Sequence, residues 1–490
     1  MKMKLSKMLE VISSYEVIQG DINTEVNDIA FDSRKVTDHA LFFCIQGRKL
    51  DGHQFIQDAI DRGASALVVE REITGIPKHI TVIKVKDSRI ALTFMSHLFF
   101  GEPSKSVNLI GITGTNGKTS VSFLVSKILE SSNRKVGVIG TIHVQIGDEI
   151  LQLEKTTPTT PESSDLHRLL KMMVDRKADD VIVEVSSMAL ELGRVNACKF
   201  DMGVFTNLTP DHLDDHGTID QYKNAKLKLF SICDFGIVNL DDPVSEEILT
   251  LNPNSLTYGI DRQDADIVGK NITIKPNKVE FTLSYKGQEQ KAQLKIPGKF
   301  SVYNALAATG ICLKLGLDLQ EISRGLGLIN GVRGRFESIE GDGYTVIIDY
   351  AHSADALENI LLTVKEFAKG KIITVFGCGG DRDPLKRPEM GKVAGTHSDQ
   401  CIITSDNPRS EDPLKIISDI EKGVQFTNCN YIKIVDRKKA IHSALDQASN
   451  EDVVIIAGKG HEDYQEINGK KFYFDDREVV LSYLNDTSTK

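Results

Sequence analysis

The stretch Gly114-Thr115-Asn116-Gly117-Lys118-Thr119-Ser120 gathers residue types that hold phosphate. Glycines let backbone N–H groups close on phosphate oxygens, and a following helix N-terminus adds partial positive charge. Lys118 is placed to reach the β- and γ-phosphates, and the Thr119 hydroxyl to ligate Mg²⁺. The usual spacing puts a glycine five residues before the Gly-Lys pair; here that position is Ile112, flanked by Gly111 and Gly114. By itself the motif predicts ATP or GTP and no particular reaction. Glu184, just past Val181-Ile182-Val183, is a carboxylate where Mg²⁺ can be held against the phosphates. Asp211-His212 follows a further apolar run, where His212 reads equally as a ligand or a structural histidine. The segment from Tyr222 to Phe230 carries Lys223, Lys226 and Lys228, and spacing singles out none of them. Farther on, Asp349, His352, Arg382 and Arg409 each lie shortly past an apolar run, and arginines there suit carboxylate or phosphate ligands.

These residues need elements to position them. Residues 107–112 are apolar and β-branched, which predicts a buried strand. Val121, Leu124, Val125, Ile128 and Leu129 recur at helical spacing, so strand, phosphate loop and helix follow one another. Residues 1–105 read as a small α/β unit, with strands at 41–45 and 66–69 around a helix through Phe55, Ala59, Ile60 and Ala64. Glu102-Pro103-Ser104-Lys105 reads as a linker. In the next unit, strands near 136–139, 181–183 and 202–205 alternate with helices, which implies a parallel sheet. Val279, Phe281, Leu283 and Tyr285 then alternate with polar residues before Lys286-Gly287, an antiparallel hairpin on one edge. Past a hinge candidate at 331–335, strands recur near 346–348, 372–375, 402–404 and 453–456, each ending in a polar or glycine motif. In open parallel sheets ligands sit at those carboxyl ends. Residues 485–490 read as a frayed tail.

The chain's 490 residues allow three domains at roughly 150 residues each. Apolar residues at 40% and charged residues at 26% are those of a soluble globular protein. A net charge of −10, no Trp and 6% aromatics argue against a nucleic-acid partner. No signal-peptide core and no run of 18 apolar residues is present, so a cytoplasmic protein with no membrane partner is expected. The seven cysteines form no C-x-x-C pair and read as free buried thiols.

Together the motifs resemble the Mur ligase family, the ATP-dependent amino-acid-adding enzymes of peptidoglycan precursor synthesis. The resemblance spans nearly the whole chain. It rests on Asp32-Ser33-Arg34, the Thr113-to-Thr119 loop, Thr159-Thr160-Pro161-Glu162, Glu184-Val185-Ser186-Ser187 and the run from Thr206 to Leu213. Gly331-Val-Arg-Gly-Arg-Phe-Glu337, Asp349-Tyr-Ala-His352 and Gly458-Lys-Gly-His-Glu462 complete it. It is closest to the branch that adds the third peptide residue. The resemblance implies an α/β fold of three domains. Residues 1–105 would bind the UDP-sugar, 106–331 would form a P-loop ATPase with a mostly parallel sheet, and 332–490 would be Rossmann-like and bind the amino acid. The implied partners are UDP-N-acetylmuramoyl-L-alanyl-D-glutamate and meso-diaminopimelate, with ATP and Mg²⁺; a monomer is expected.

The resemblance also implies roles. Ser33 would contact the UDP-sugar; Thr159, Thr160, Ser186 and Arg194 would hold the muramoyl-dipeptide. Lys226 would be carbamylated and, with Thr119, Glu184 and His212, would hold the metal. Asn304 and Arg335 would contact the nucleotide, with Asp349 near its ribose. Members that add diaminopimelate carry Asp-Asn-Pro-Arg, present here as Asp406-Asn407-Pro408-Arg409, and lysine-adding relatives lack that arginine. An arginine suits the extra carboxylate of diaminopimelate. Arg382, Gly458 and Glu462 match the family's other contacts to it. One departure is Met188, where many relatives have histidine; a thioether cannot donate a hydrogen bond. The alternatives are a lysine-adding member, a folylpolyglutamate synthetase-like ligase, and a nucleotide-dependent binding protein without catalysis.

Overall fold

Near-continuous apolar strands with helices between them pair in parallel, because only a sheet covered on both faces buries such strands. The computed structural model describes residues 1–47, 50–151, 157, 159–211, 213–275, 277–329 and 331–488. Three large sheets follow one another along the chain. The first runs in the order Tyr15–Gln19, Thr81–Val85, Ala64–Val69, Ala40–Phe43, Asp28–Ala30 and is parallel except at Tyr15–Gln19. The helix expected to continue through Ala64 stops at Asp61: Gly63 takes φ +106° and Ala64 opens a strand instead. The turn reverses the chain before the apolar spacing of the helix has run out.

The central sheet has eleven strands. Asn108–Thr113 lies between Asp180–Glu184 and Phe200–Phe205, parallel to both. Val136–Ile139 pairs outside Asp180–Glu184, and Cys233–Asn239, Ser255–Gly259 and Ile267–Lys275 continue the other side in parallel. The expected hairpin is there: Lys278–Tyr285 pairs antiparallel with Ile267–Lys275 and with Gln288–Leu294, extending this sheet at its edge. Helices Lys118–Ser131 and Lys299–Lys314 pack together on one face.

The third sheet runs Glu337–Glu340, Thr345–Asp349, Val453–Ala457, Ile372–Phe376, Gln400–Ile403, Asn430–Lys433 and is parallel except at its first strand. One apolar core continues from Ile110 and Val121 through Val332 and Phe336 into Ile347 and Phe376. Phe336 lies at φ +46°, with its ring 5.7 Å from Phe300 and 6.5 Å from Phe367, so the hinge segment is packed from both sides. Of the expected tail, residues 485–488 continue helix Asp476–Ser488, and 489–490 lie outside the described residues. The helix is tied down by Asp476, whose carboxylate takes a buried two-point bond from Arg437 at 2.8 and 2.7 Å. All seven cysteines are free; five are buried, while Cys233 and Cys429 are half-buried.

Candidate active site

The phosphate loop leaves the centre of the eleven-stranded sheet. Gly114, at φ +148°, passes so close to Thr206 that a Cβ would stand 1.8 Å from its Oγ1. A Cβ on Gly117, at φ +87°, would stand 2.5 Å from Asn304 Oδ1, so the loop lies against the helix that carries Asn304. Thr115 N donates to Asn207 O at 2.9 Å, and Asn116 N to Asn207 Oδ1 at 2.9 Å. Thr206 Oγ1 donates to Asn116 O at 2.6 Å, and Tyr222 OH to Thr115 Oγ1 at 3.2 Å. Lys118 Nζ donates to the carbonyls of Gly114 and Thr115 at 2.8 and 2.9 Å. Burial holds its ammonium below the ordinary lysine range, Arg335 adds to that, and Glu184 and Asp211 oppose it. Ser120 lies in the first turn of the helix.

Glu184 ends its strand almost completely buried. Its Oε2 accepts from Thr119 Oγ1 at 2.9 Å and from Thr141 Oγ1 at 2.8 Å, and Oε1 from Thr141 N at 3.2 Å. Gly140 is required beside it, since a Cβ there would meet Glu184 Oε1 at 2.2 Å. A carboxylate and a hydroxyl are the hard oxygen donors that Mg²⁺ takes, so the pair fits that ion. Among the described residues no group of three or more His, Cys, Asp or Glu is gathered for a metal. His212 lies outside the described residues.

Burial separates the three lysines that spacing could not. Lys223 pairs with Glu247 at 2.7 Å and Lys228 with Glu191 at 2.6 Å. Lys226 is only 2% exposed, and its Nζ lies 4.1 Å from the Tyr222 ring centroid, with no described carboxylate in ion-pair range. Burial first, and then the Lys118 charge, put its ammonium well below the ordinary lysine range, opposed by Asp211.

The other side of Glu184 meets the predicted dipeptide residues. Thr159 Oγ1 lies 3.1 Å from Thr141 Oγ1, Thr160 Oγ1 donates to Glu184 O at 2.8 Å, and Ser186 N donates to Thr160 Oγ1 at 2.9 Å. Arg194 Nη1 donates to Thr160 O at 3.2 Å, and its Nε pairs with Glu162 Oε1 at 2.9 Å. Arg89, from the first third of the chain, donates to that same oxygen at 2.9 Å. Ser33 is buried in the turn Ser33–Lys35 and touches none of this group, but Lys35 of that turn pairs with Asp165 at 3.6 Å. Met188 is half-buried in the short helix Ser187–Glu191.

Residues from the last third close on the loop. Asp355 Oδ2 accepts from Asn116 Nδ2 at 2.9 Å and from Thr209 Oγ1 at 3.0 Å, and Lys386 Nζ donates to Asp211 Oδ1 at 2.7 Å. Arg335 stacks over Tyr350 at 4.7 Å, and its buried Nε has no hydrogen-bond partner among the described residues. Asp349 Oδ2 accepts from Phe336 N at 2.6 Å. Around Asp406-Asn407-Pro408-Arg409, Arg409 sits at φ +50° and donates from Nη1 to Gly380 O at 2.6 Å; its Nε is 3.4 Å from Glu466. Asn407 Nδ2 donates to Glu462 Oε2 at 2.8 Å. A Cβ on Gly458 would come within 2.6 Å of Asp406 Oδ2, and one on Gly380 within 2.0 Å of the Pro408 carbonyl. Arg382 is exposed on the loop after Ile372–Phe376.

Three family models match this chain: Mur ligase middle domain at residues 112–312, the Mur ligase glutamate ligase domain at 334–460, and the Mur ligase family catalytic domain at 25–95. A Clostridium acetobutylicum protein named UDP-N-acetylmuramoyl-L-alanyl-D-glutamate--2,6-diaminopimelate ligase 2 is 46% identical over 484 residues, 98% of this chain and 100% of its own. The chain belongs to the Mur ligase family. An Alkaliphilus oremlandii ligase of the same name, without the final numeral, is 47% identical over 488 residues, covering 98% of each chain. A solved Mur ligase structure titled with that ligase name has a TM-score of 0.70 at 31% identity, covering 100% of both chains. Mur ligase MurF from Thermotoga maritima, solved in complex with ADP, shares the fold at a TM-score of 0.65 and 18% identity over 95% of this chain and 98% of its own.

Within this Mur ligase, reading the sequence missed Thr141, Asp355 and Lys386. Thr141 carried a usable signal, standing next to Gly140 at a strand end. Asp355 and Lys386 carried none, because their partners are 239 and 175 residues away in the chain.

Proposed function

We propose that this chain is an ATP-dependent ligase that joins meso-diaminopimelate to the D-glutamate of UDP-N-acetylmuramoyl-L-alanyl-D-glutamate, in peptidoglycan synthesis. Near-complete coverage at 46–47% identity to ligases named for that reaction carries the reading. Asp406-Asn407-Pro408-Arg409 supports it with an arginine for the second carboxylate. Units divided near residues 105 and 331 would hold the UDP-sugar, the nucleotide and the amino acid in turn.

In this reading ATP lies along residues 114–120, with Asn304 and Arg335 contacting the nucleotide and Asp349 near its ribose. Mg²⁺, held by Thr119 and Glu184 and completed by His212 and Lys226, would offset the charge of the phosphates. Thr141 keeps the Glu184 carboxylate oriented. Lys226 acts as a carbamate: burial favours its neutral amine, which adds to CO₂ with loss of one proton and becomes an anion. Ser33, Thr159, Thr160, Ser186 and Arg194 hold the UDP-muramoyl-dipeptide. The D-glutamyl carboxylate attacks the γ-phosphorus, ADP leaves, and Lys118 and Arg335 stabilise the spreading charge. The acyl-phosphate then takes the amine of diaminopimelate, held by Arg382, Arg409, Asn407 and Glu462 beside Asp406, Pro408 and Gly458, and phosphate leaves. Docking of the last third of the chain lines up the amine and excludes water. The protein works as a cytoplasmic monomer and serves cell shape and division through the wall; among the described residues no helix is long and apolar enough to cross a membrane.

The test incubates purified protein with ATP, Mg²⁺ and UDP-muramoyl-dipeptide and compares meso-diaminopimelate with L-lysine. Phosphate release with diaminopimelate is expected. Release with neither overturns the ligase reading, and release with lysine alone overturns the role of Arg409.

A further inference from the structure

The proposed amino-acid pocket contains a lysine that solvent does not reach. The Lys459 side chain is 0% exposed. Its Nζ donates to Glu462 Oε2 at 3.0 Å and to Asn407 Oδ1 at 3.2 Å, and lies 5.4 Å from the Tyr464 ring centroid. These bonds admit only one orientation of the Asn407 carboxamide. Its oxygen also accepts from Glu466 N at 3.0 Å, so its nitrogen faces Glu462 and donates at 2.8 Å. Glu462 Oε2 therefore takes two donors. Its Oε1 takes none among the described residues, although the side chain is 18% exposed.

The same network reaches Arg409. Arg409 N donates to Glu466 O at 2.9 Å, and Asn468 N to Arg409 O at 2.7 Å, so the two-stranded hairpin of Tyr464–Ile467 and Lys470–Tyr473, which fixes Asn407 through Glu466 N, also fixes Arg409. A cationic and an anionic reading group thus rest on one shared support. A free glutamate loses rotamer freedom when it grips a ligand, and a glutamate already held by two donors has lost it beforehand.

We propose that Lys459 is a positioning residue for amino-acid selection: with Asn407 it holds Glu462 so that Oε1 faces the ammonium at the far end of diaminopimelate, while Arg409 takes the carboxylate there. This rests on the reading of the Arg409 pocket as the amino-acid site. Lys459 itself touches no substrate.

The test uses the full chain with ATP, Mg²⁺ and UDP-muramoyl-dipeptide. It compares meso-diaminopimelate with 2-aminopimelate, which keeps the far carboxylate and lacks the far amine. Lys459→Met is expected to raise KM for diaminopimelate by about tenfold and to move KM for 2-aminopimelate and for ATP by less than about threefold. Lys459→Arg should recover part of the preference. Equal rises for both amino acids, as a purely structural lysine would give, overturn the proposal, as does no change in either. Glu462→Gln is the second variant and must erase the same preference. If it does not, the proposal fails even where Lys459→Met does not fold. Wild-type protein that uses neither amino acid overturns the pocket reading itself, a result distinguishable from wild-type turnover with an unaltered preference in the variants.

Discussion

Asp355→Ala tests whether the last third of the chain must grip the phosphate loop for turnover. The carboxylate is half-buried and accepts two bonds, one from loop residue Asn116 and one from Thr209. Hydrogen bonds to a charged group contribute about 1.5–3 kcal/mol each. Burial raises the pKa of Asp355 against the lowering effect of those same two bonds, so part of the gain goes to desolvating the carboxylate. A combined loss of about 2–3 kcal/mol on removing the side chain is the reasonable scale, or roughly 30- to 150-fold in the docking equilibrium. Steady-state kinetics with ATP varied at saturating dipeptide and amino acid should show kcat/KM reduced by about tenfold or more, with that shift as the ceiling. Asp355→Asn keeps an oxygen for both donors and should stay within about threefold of wild type. Alanine kinetics within about twofold of wild type, or an asparagine variant as damaged as the alanine one, would refute the clasp.

Four further outcomes are expected. Lys226→Ala should abolish phosphate release while leaving the melting temperature near that of wild type, which calorimetry and the phosphate assay check together. Arg409→Ala should raise KM for diaminopimelate by at least about tenfold with little change in KM for ATP, since in the proposed reading it removes the cation that takes the second carboxylate. Gly114→Ala should prevent nucleotide binding measured by titration calorimetry, because the loop cannot keep φ +148° and clear Thr206 at 1.8 Å. His167, whose two ring nitrogens lack hydrogen-bond partners among the described residues beside His97 at 5.0 Å, is held neutral by burial with its pKa down at about 3 from 6.5. As pH falls through 6.5 the unfolded chain takes up a proton that the native one refuses, so stability drops by about 2 kcal/mol by pH 5. Thermal melts of His167→Leu should lose that share of the acid sensitivity; equal slopes in both proteins would contradict it. His97, itself depressed by burial and facing Glu102 and Lys105, adds loss in the same direction in both proteins.

The parts legible in the sequence were those whose physics is local. The run from Asn108 to Ser131 carries strand, loop and helix in sequence order, and its glycines mark the close approaches to Thr206 and Asn304. What stayed hidden depended on burial and on distant partners. Lys223, Lys226 and Lys228 are alike as letters, and only packing leaves Lys226 enclosed while its neighbours reach Glu247 and Glu191. Ala64 misled because its helical spacing from Ile60 holds until Gly63 turns the chain. Residues 485–488 look like a tail by composition, yet the Arg437–Asp476 pair anchors the helix that contains them.

The third sheet places its last strand in sequence, Val453–Ala457, between Thr345–Asp349 and Ile372–Phe376. On the ribosome, which releases the chain from its N-terminus, that sheet stays open along two apolar edges until nearly all the protein has emerged. The phosphate loop's own strand has both neighbours by residue 205. Synthesis therefore frames the nucleotide-binding centre long before the half that supplies Asp355, Arg409 and Lys459. A message that ends early, before residue 453, yields a chain whose third sheet lacks its central strand and exposes sticky edges, a substrate for chaperones and proteases.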